Sequence, residues 1–105
     1  SEHSKTVSES MSVLRNKLAK KLYETGILYM KMDEYEPARM SFTQVLDLYY
    51  DTDIIESVHY EVIKSYLKQG NDKKARSYWI NKGKDSIKQE KLVLELTEVF
   101  SQKDI

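Results

Sequence analysis

The stretch GILYMKMDEYEPARMSF, residues 26–42, decides the fold because its skeleton returns as IKSYLKQGNDKKARSYW, residues 63–79. Aligned without a gap, Tyr29 falls on Tyr66, Ala38 on Ala75, Arg39 on Arg76 and Phe42 on Trp79, at a constant offset of 37 residues. Alanine occurs three times in the chain and two of the three share one aligned column, so composition does not account for the match. A repeat of this period marks an array in which each unit buries its apolar face on the next.

Outward from this stretch, the opening SEHSKTVSES is polar and Ser-rich and is expected to form a flexible lead-in over 1–10, ahead of a single domain over 11–105. Met11, Leu14, Leu18, Leu22, Gly26 and Tyr29 recur at helical spacing and predict a long first helix, bent near Gly26 and ending at Met32. Asp33 as N-cap and Pro37 in the first turn predict a second helix from about Glu34, with Tyr35, Ala38, Phe42, Val45, Leu46 and Tyr49 inward. YYDTD interrupts it, and Asp53 and Glu56 have the spacing of a capping box that opens a third helix. QGND, residues 69–72, closes that helix and caps a fourth, expected to reach Lys82 with Ala75, Tyr78 and Trp79 inward. NKGKDS, residues 81–86, breaks the pattern before a last amphipathic helix at about 86–102. The chain is thus read as all-α, about five helices, with repeat 1 at about 16–50, repeat 2 at about 53–84 and a C-terminal capping helix.

Composition agrees. One Pro and three Gly beside 32% charged residues suit long helices with solvated faces and not a turn-rich β fold. Seventeen basic and seventeen acidic residues leave no net charge to attract nucleic acid or anionic lipid. The chain holds no Cys, hence no disulfide or thiolate metal site, and no apolar run of the roughly 20 residues that a bilayer span needs.

The chemistry of a catalytic or metal centre is not assembled either. His3 and His59 are far apart with no spaced ligand partner, and Asp51 and Asp53 lack the remaining positions and central Gly of a calcium loop. His59 is expected as a satisfied core or capping histidine, and Trp79, on the column of Phe42, as packing. No Gly-rich phosphate loop or nucleophile with a spaced base occurs, so the expectation is a non-enzymatic chain without cofactor or metal.

The pattern of Gly26 and Tyr29 in one helix, then Ala38 and Phe42 in the next, resembles the tetratricopeptide repeat. In the second copy Tyr66, Ala75 and Trp79 hold, Ile63 replaces the Gly, and the family's terminal Pro is missing from both copies. The resemblance covers residues 16–82 and implies antiparallel helix pairs stacked as a right-handed α-solenoid. The usual repeat is about 34 residues; here three more fall in YYDTDIIES. That lengthened linker, with Tyr35, Ala38, FTQVL (residues 42–46) and Tyr49 to Asp53, resembles the periplasmic BamD-like lipoproteins of outer-membrane β-barrel assembly. Such a resemblance implies a scaffold subunit of the BAM complex, anchored by lipid upstream of Ser1 on the periplasmic face of a bacterial outer membrane. Its implied partners are a β-barrel assembly component and unfolded barrel segments. Members of that group carry about twice as many repeats, so this chain corresponds to a short form. The alternative is a general repeat adaptor in another envelope or cytosolic complex.

On the repeat's wheel, the residues facing the concave side are Lys20, Tyr23, Ile27, Met30 and Lys31, then Ser57, Tyr60, Lys64, Leu67 and Lys68. Aromatic and aliphatic groups flanked by Lys suit an extended or helical peptide with aromatic side chains and a free carboxylate. The Lys and Asn set of a chaperone-docking carboxylate clamp is absent, with Tyr23, Ile27 and Lys64 in its place. Val93 and Leu94 lie off the apolar stripe of the last helix and mark a second expected contact surface.

Overall fold

The computed structural model describes residues 2–102, with side chains from residue 6 onward; His3's side chain and the expected domain end at 103–105 lie outside the described residues. Among the described residues the chain is all-helical: α1 (Glu2–Lys31), α2 (Tyr35–Leu48), α3 (Ile55–Lys68), α4 (Asp72–Tyr78) and α5 (Glu90–Gln102). α4 runs on without a break through a π-helical turn, Trp79–Gly83, and a last α-turn, Lys84–Ser86. The molecule is elongated, 56 × 28 × 19 Å.

α1 starts at Glu2, so the segment expected as a flexible lead-in is helical from that residue onward. No Gly or Pro precedes Gly26 to stop it, and extending a formed helix adds a hydrogen bond for each residue fixed. The 30 residues of α1 span about 45 Å at 1.5 Å per residue, against about 21 Å for the 14 residues of α2. Only the second half of α1 is therefore covered by its neighbour, and Val7, Met11, Leu14 and Leu18 remain exposed.

The turns between paired helices repeat at the same offset as the sequence. At the end of α1, Asp33 takes φ 59° while its N–H donates to the Met30 carbonyl at 3.0 Å and Glu34 N–H to the Tyr29 carbonyl at 2.9 Å. At the end of α3, Gly70 takes φ 82°, its N–H donating to Leu67 at 3.0 Å and Asn71 N–H to Tyr66 at 2.8 Å. Both are Schellman turns, and in both the repeat's Tyr supplies the accepting carbonyl. Asp33 accordingly closes α1 in the left-handed region and does not cap α2; Glu34 holds that place without a side-chain cap bond. Asn71 does cap α4, its Oδ1 accepting the Lys74 N–H at 3.2 Å.

The capping box expected of Asp53 and Glu56 is not formed either. α3 begins without a side-chain cap bond. Asp53 N–H donates to Asn16 Oδ1 at 3.1 Å, and the Glu56 carboxylate accepts the N–H groups of Lys88 and Gln89, the latter at 2.9 Å. Both groups are spent across elements: one ties the α2–α3 linker to α1, the other holds the backbone that leads into α5. Arg15 completes the first tie, with Nη2 donating to Asp51 Oδ1 and to the Leu48 carbonyl, each at 2.7 Å, while the guanidinium lies over the Tyr49 ring. The extra length of YYDTDIIES is thus folded back onto α1.

Two apolar clusters fill the molecule. The first joins Ala19, Met30, Ala38, Phe42, Val45, Val58 and Val62, and the second Ile63, Ala75, Trp79, Ile87, Leu96 and Phe100. In the first, α1 and α2 approach so closely that a Cβ on Gly26 would lie 2.3 Å from the Phe42 ring. In the second, Ile63 stands where Gly26 stands in the first copy, and the small residue has moved to the other helix. A Cβ on Gly83 would lie 2.9 Å from Ile63 Cδ1 and 3.1 Å from Trp79. That is why NKGKDS does not break α4: Gly83 has helical dihedrals and is buried as a notch for Ile63. The chain leaves the helix at Ile87, which is extended.

The two notches predict different outcomes. Gly26→Ala gains about 1 kcal/mol of helix propensity but drives a methyl into a rigid ring, which typically costs about 1–3 kcal/mol and here belongs at the upper end. Gly83→Ala meets the terminal methyl of Ile63 and, less closely, the Trp79 ring, and is expected to cost less than Gly26→Ala, improving when combined with Ile63→Val. Urea midpoints of the three variants measure the order; equal losses for Gly26→Ala and Gly83→Ala would contradict it.

Candidate functional site

α1 and α3 are in contact, and α5 lies against α3 through Glu95. Of the side chains expected to face the concave side, Lys20, Lys31 and Lys68 are exposed, the latter two in the last turns of their helices where a cation meets the negative end of the helix dipole. Tyr23 and Ile27 are half-buried, packed on the first cluster, with the Tyr23 ring 5.9 Å from Phe42. Ser57 is half-buried. Met30 is 6% exposed and belongs to the core, because it points at the α1–α2 crossing; it offers no binding surface.

The second half of the face is closed by α5. The Tyr60 hydroxyl donates to Glu95 Oε2 at 2.6 Å, and Lys64 Nζ reaches the same oxygen at 3.4 Å while lying over the Tyr60 ring. Burial and the Glu95 hydrogen bond hold the Tyr60 hydroxyl far above its ordinary range, so it remains a proton donor. Leu67 and Val93 are half-buried against the second cluster. Val93 therefore serves packing as well as surface. Leu94, at 62% exposure, is the member of the pair presented to solvent.

Next to Tyr60 on α3 stands Glu61, whose charge acts on both Tyr60 and Tyr23 and which sequence reasoning did not single out. Its Oε2 is enclosed and receives no hydrogen bond. Burial, and to a lesser degree Glu95, push its carboxyl above the usual range, opposed by Lys68 and Lys64. Helical spacing placed Glu61 near a lysine-flanked surface, where an ordinary solvated ion pair is the simplest reading, and nothing in the spacing reports that the acid lacks a donor.

The opposite side of α3 carries a cavity of about 450 Å³ between α2 and α4, lined among others by Arg39, His59, Tyr66, Tyr78 and Lys82. His59, 9% exposed, pairs through Nδ1 with the Tyr78 hydroxyl at 2.7 Å, and Lys82 lies over the Tyr78 ring. Arg39 donates to Ser65 Oγ at 2.9 Å and Gln69 Oε1 at 2.7 Å and stacks 4.1 Å above the Tyr66 ring. Its repeat equivalent, Arg76, donates to the Phe100 carbonyl at 3.1 Å. The aligned arginines thus do one job twice: each ties the second helix of its pair to the helix that follows. Among the described residues no cluster of His, Asp and Glu is placed to hold a metal ion, and no helix is long and apolar enough to cross a membrane.

Comparison with protein-family models, with curated proteins and with solved structures gives no match.

Burial, with Lys82 adding repulsion, holds His59 below its ordinary value, so the unfolded chain takes up a proton first. Stability from this group is present above about pH 6.5 and is lost as pH falls below it. The expected result is that the difference in unfolding free energy between wild type and His59→Asn shrinks from pH 8 to pH 5.5; a difference constant over that range would show the histidine to be indifferent to burial.

Proposed function

We propose that this chain is a protein-docking scaffold of the tetratricopeptide kind, a BamD-like subunit in outer-membrane β-barrel assembly. The observation that carries the reading is the twofold use of one structural unit. Each copy pairs two helices through the same Schellman turn and buries an aromatic ring against Gly. Each also ties forward with the same arginine. A unit that hands its second helix on to the next by a fixed device builds an extended surface from few residues, and extended surfaces suit the capture of other chains.

The BamD-like part rests on Tyr35, Ala38, FTQVL and the long Asp-containing linker, and gains support from the way Arg15 and Asn16 hold that linker against α1. In this reading the α1–α3 face receives an extended segment of a barrel substrate or of the assembly partner, while Leu94 on α5 gives a second contact. The scaffold would act on the periplasmic side of the outer membrane by position alone, bringing segments together without covalent chemistry.

The test is a pull-down from solubilised bacterial envelope, with Leu94→Glu as control and mass spectrometry as readout. Recovery of an outer-membrane β-barrel protein, reduced at least about tenfold by a charge placed in a buried contact, is the expected outcome. Recovery of soluble partners alone would move the scaffold to another complex, and recovery of none would remove the docking role.

A further inference from the structure

The cavity between α2 and α4 holds a polar pair with one donor to spare. A neutral histidine and a tyrosine carry one N–H and one O–H, and the bond between His59 Nδ1 and the Tyr78 hydroxyl uses one of the two. If the hydroxyl donates, His59 Nε2–H is left; if Nδ1–H donates, the hydroxyl proton is left. Neither group has another hydrogen-bond partner among the described residues, and both side chains line the cavity. The spare group is also within reach. Among the described residues the enclosed side-chain atom without a partner is Glu61 Oε2, and neither His59 nor Tyr78 contributes one. Buried donors in native structures find a partner, so what enters the cavity, water or ligand, completes this one.

Water alone does not answer the rest of the lining. Arg39 and Lys82 both line the cavity, and both are spent on neutral groups: Arg39 on Ser65, Gln69 and the Tyr66 ring, Lys82 on the Tyr78 ring. Among the described lining residues the acid is Asp47, which is exposed and pairs with neither cation. Farther along the same groove Glu36 and Lys74 add one charge of each sign, so the balance stays positive. The field follows the balance, for His59 feels the Lys82 cation and no acid. Leu46, Ile55 and Val62 make the wall apolar, and Tyr50 lines it while 72% exposed. The volume of about 450 Å³ lies within the range of small-molecule sites, about 300–1,000 Å³.

We propose that this cavity binds a small aromatic carboxylate, its ring on the apolar wall beside Tyr50 and its anion held by Lys82 and the spare donor of the His59–Tyr78 pair. An anion is favoured over a neutral ligand because the cations outnumber the acid and have no ion-pair partner, and a hydrogen bond to a charged group is the stronger kind. An aromatic body is favoured because a flat ring buries apolar area on an aliphatic wall while a tyrosine ring lies against it. The site lies across α3 from the face offered for docking, so it goes beyond that reading and is tested without it.

The probe is phenylacetate, titrated into the ¹⁵N-labelled full chain beside phenylacetamide, its neutral isostere, and acetate, which has the anion without the ring. The expected result is saturable amide shifts at Leu46, His59, Tyr78 and Lys82, with an affinity about tenfold or more above that of either control, the worth of one charge-assisted hydrogen bond. Lys82 is exposed, so Lys82→Gln is expected to leave the melting temperature nearly unchanged. The same change should reduce the advantage over the amide to about threefold or less. Equal binding of phenylacetate and phenylacetamide, or of phenylacetate and acetate, would overturn the site, as would absence of saturation or undiminished binding by Lys82→Gln. Shifts centred on Lys20, Lys31 or Lys68 would overturn it too, since they report attraction to exposed lysines alone. The pull-down reads the α1–α3 face and Leu94, and neither experiment decides the other.

Discussion

The fold depends on one contact, the Phe42 ring laid against the bare backbone of Gly26. Helices normally pack with axes about 8–10 Å apart, and the lower end of that range is reached only where a side chain is missing. Gly26 supplies the gap, Ala38 keeps the opposing surface small, and Phe42 fills the space with a large apolar area at one point. Because the ring fits only at that point, the register of α1 against α2 is set. With the register set, Tyr29 is placed to accept the Glu34 N–H and Arg15 to reach Asp51. Side chains that face the solvent tie down what this core contact has already located.

The second copy reaches the same end by a different residue, and this separates the constraint from the motif. Ile63 occupies the glycine column, which by motif alone weakens the case for a second pair. Gly83 restores the gap from the other helix, four residues after Trp79, within a π-helical turn that brings it beneath Ile63. What is kept is a ring, a small residue and a close approach. Which helix gives up its side chain is free.

That freedom explains what was legible in the sequence. The helices, their order and nearly all of the core follow from apolar spacing, because Ala38, Phe42, Ala75, Trp79 and Leu96 can be buried only on one face of each helix. The aligned arginines were visible as a column, but their forward ties were not, since Ser65, Gln69 and Phe100 belong to helices whose approach no local rule specifies. The errors in the caps have two causes, one local and one across layers. Asp33 closes α1 in a left-handed turn, whereas the Asp53 backbone N–H donates to Asn16 and the Glu56 carboxylate accepts from the backbone before α5, so the two halves of the expected capping box are spent across elements. Short-range rules assume that a polar group bonds nearby; in a stacked repeat the better partner is often in the next layer.

The same argument bears on the face shared by α1 and α3. Polar groups at the junction of layers are shared, and sharing leaves remainders. Glu95 on α5 takes both the tyrosine and the lysine of α3, so Glu61, one residue from Tyr60, goes without. A solvated acid in that position would have been free to turn outward and hydrate. Enclosure of one oxygen removes that choice, and an acid stands where an apolar residue of similar size would pack as well or better. In a stacked scaffold the meeting of layers thus decides which polar groups are paired and which are left over, and that outcome cannot be read from any one helix.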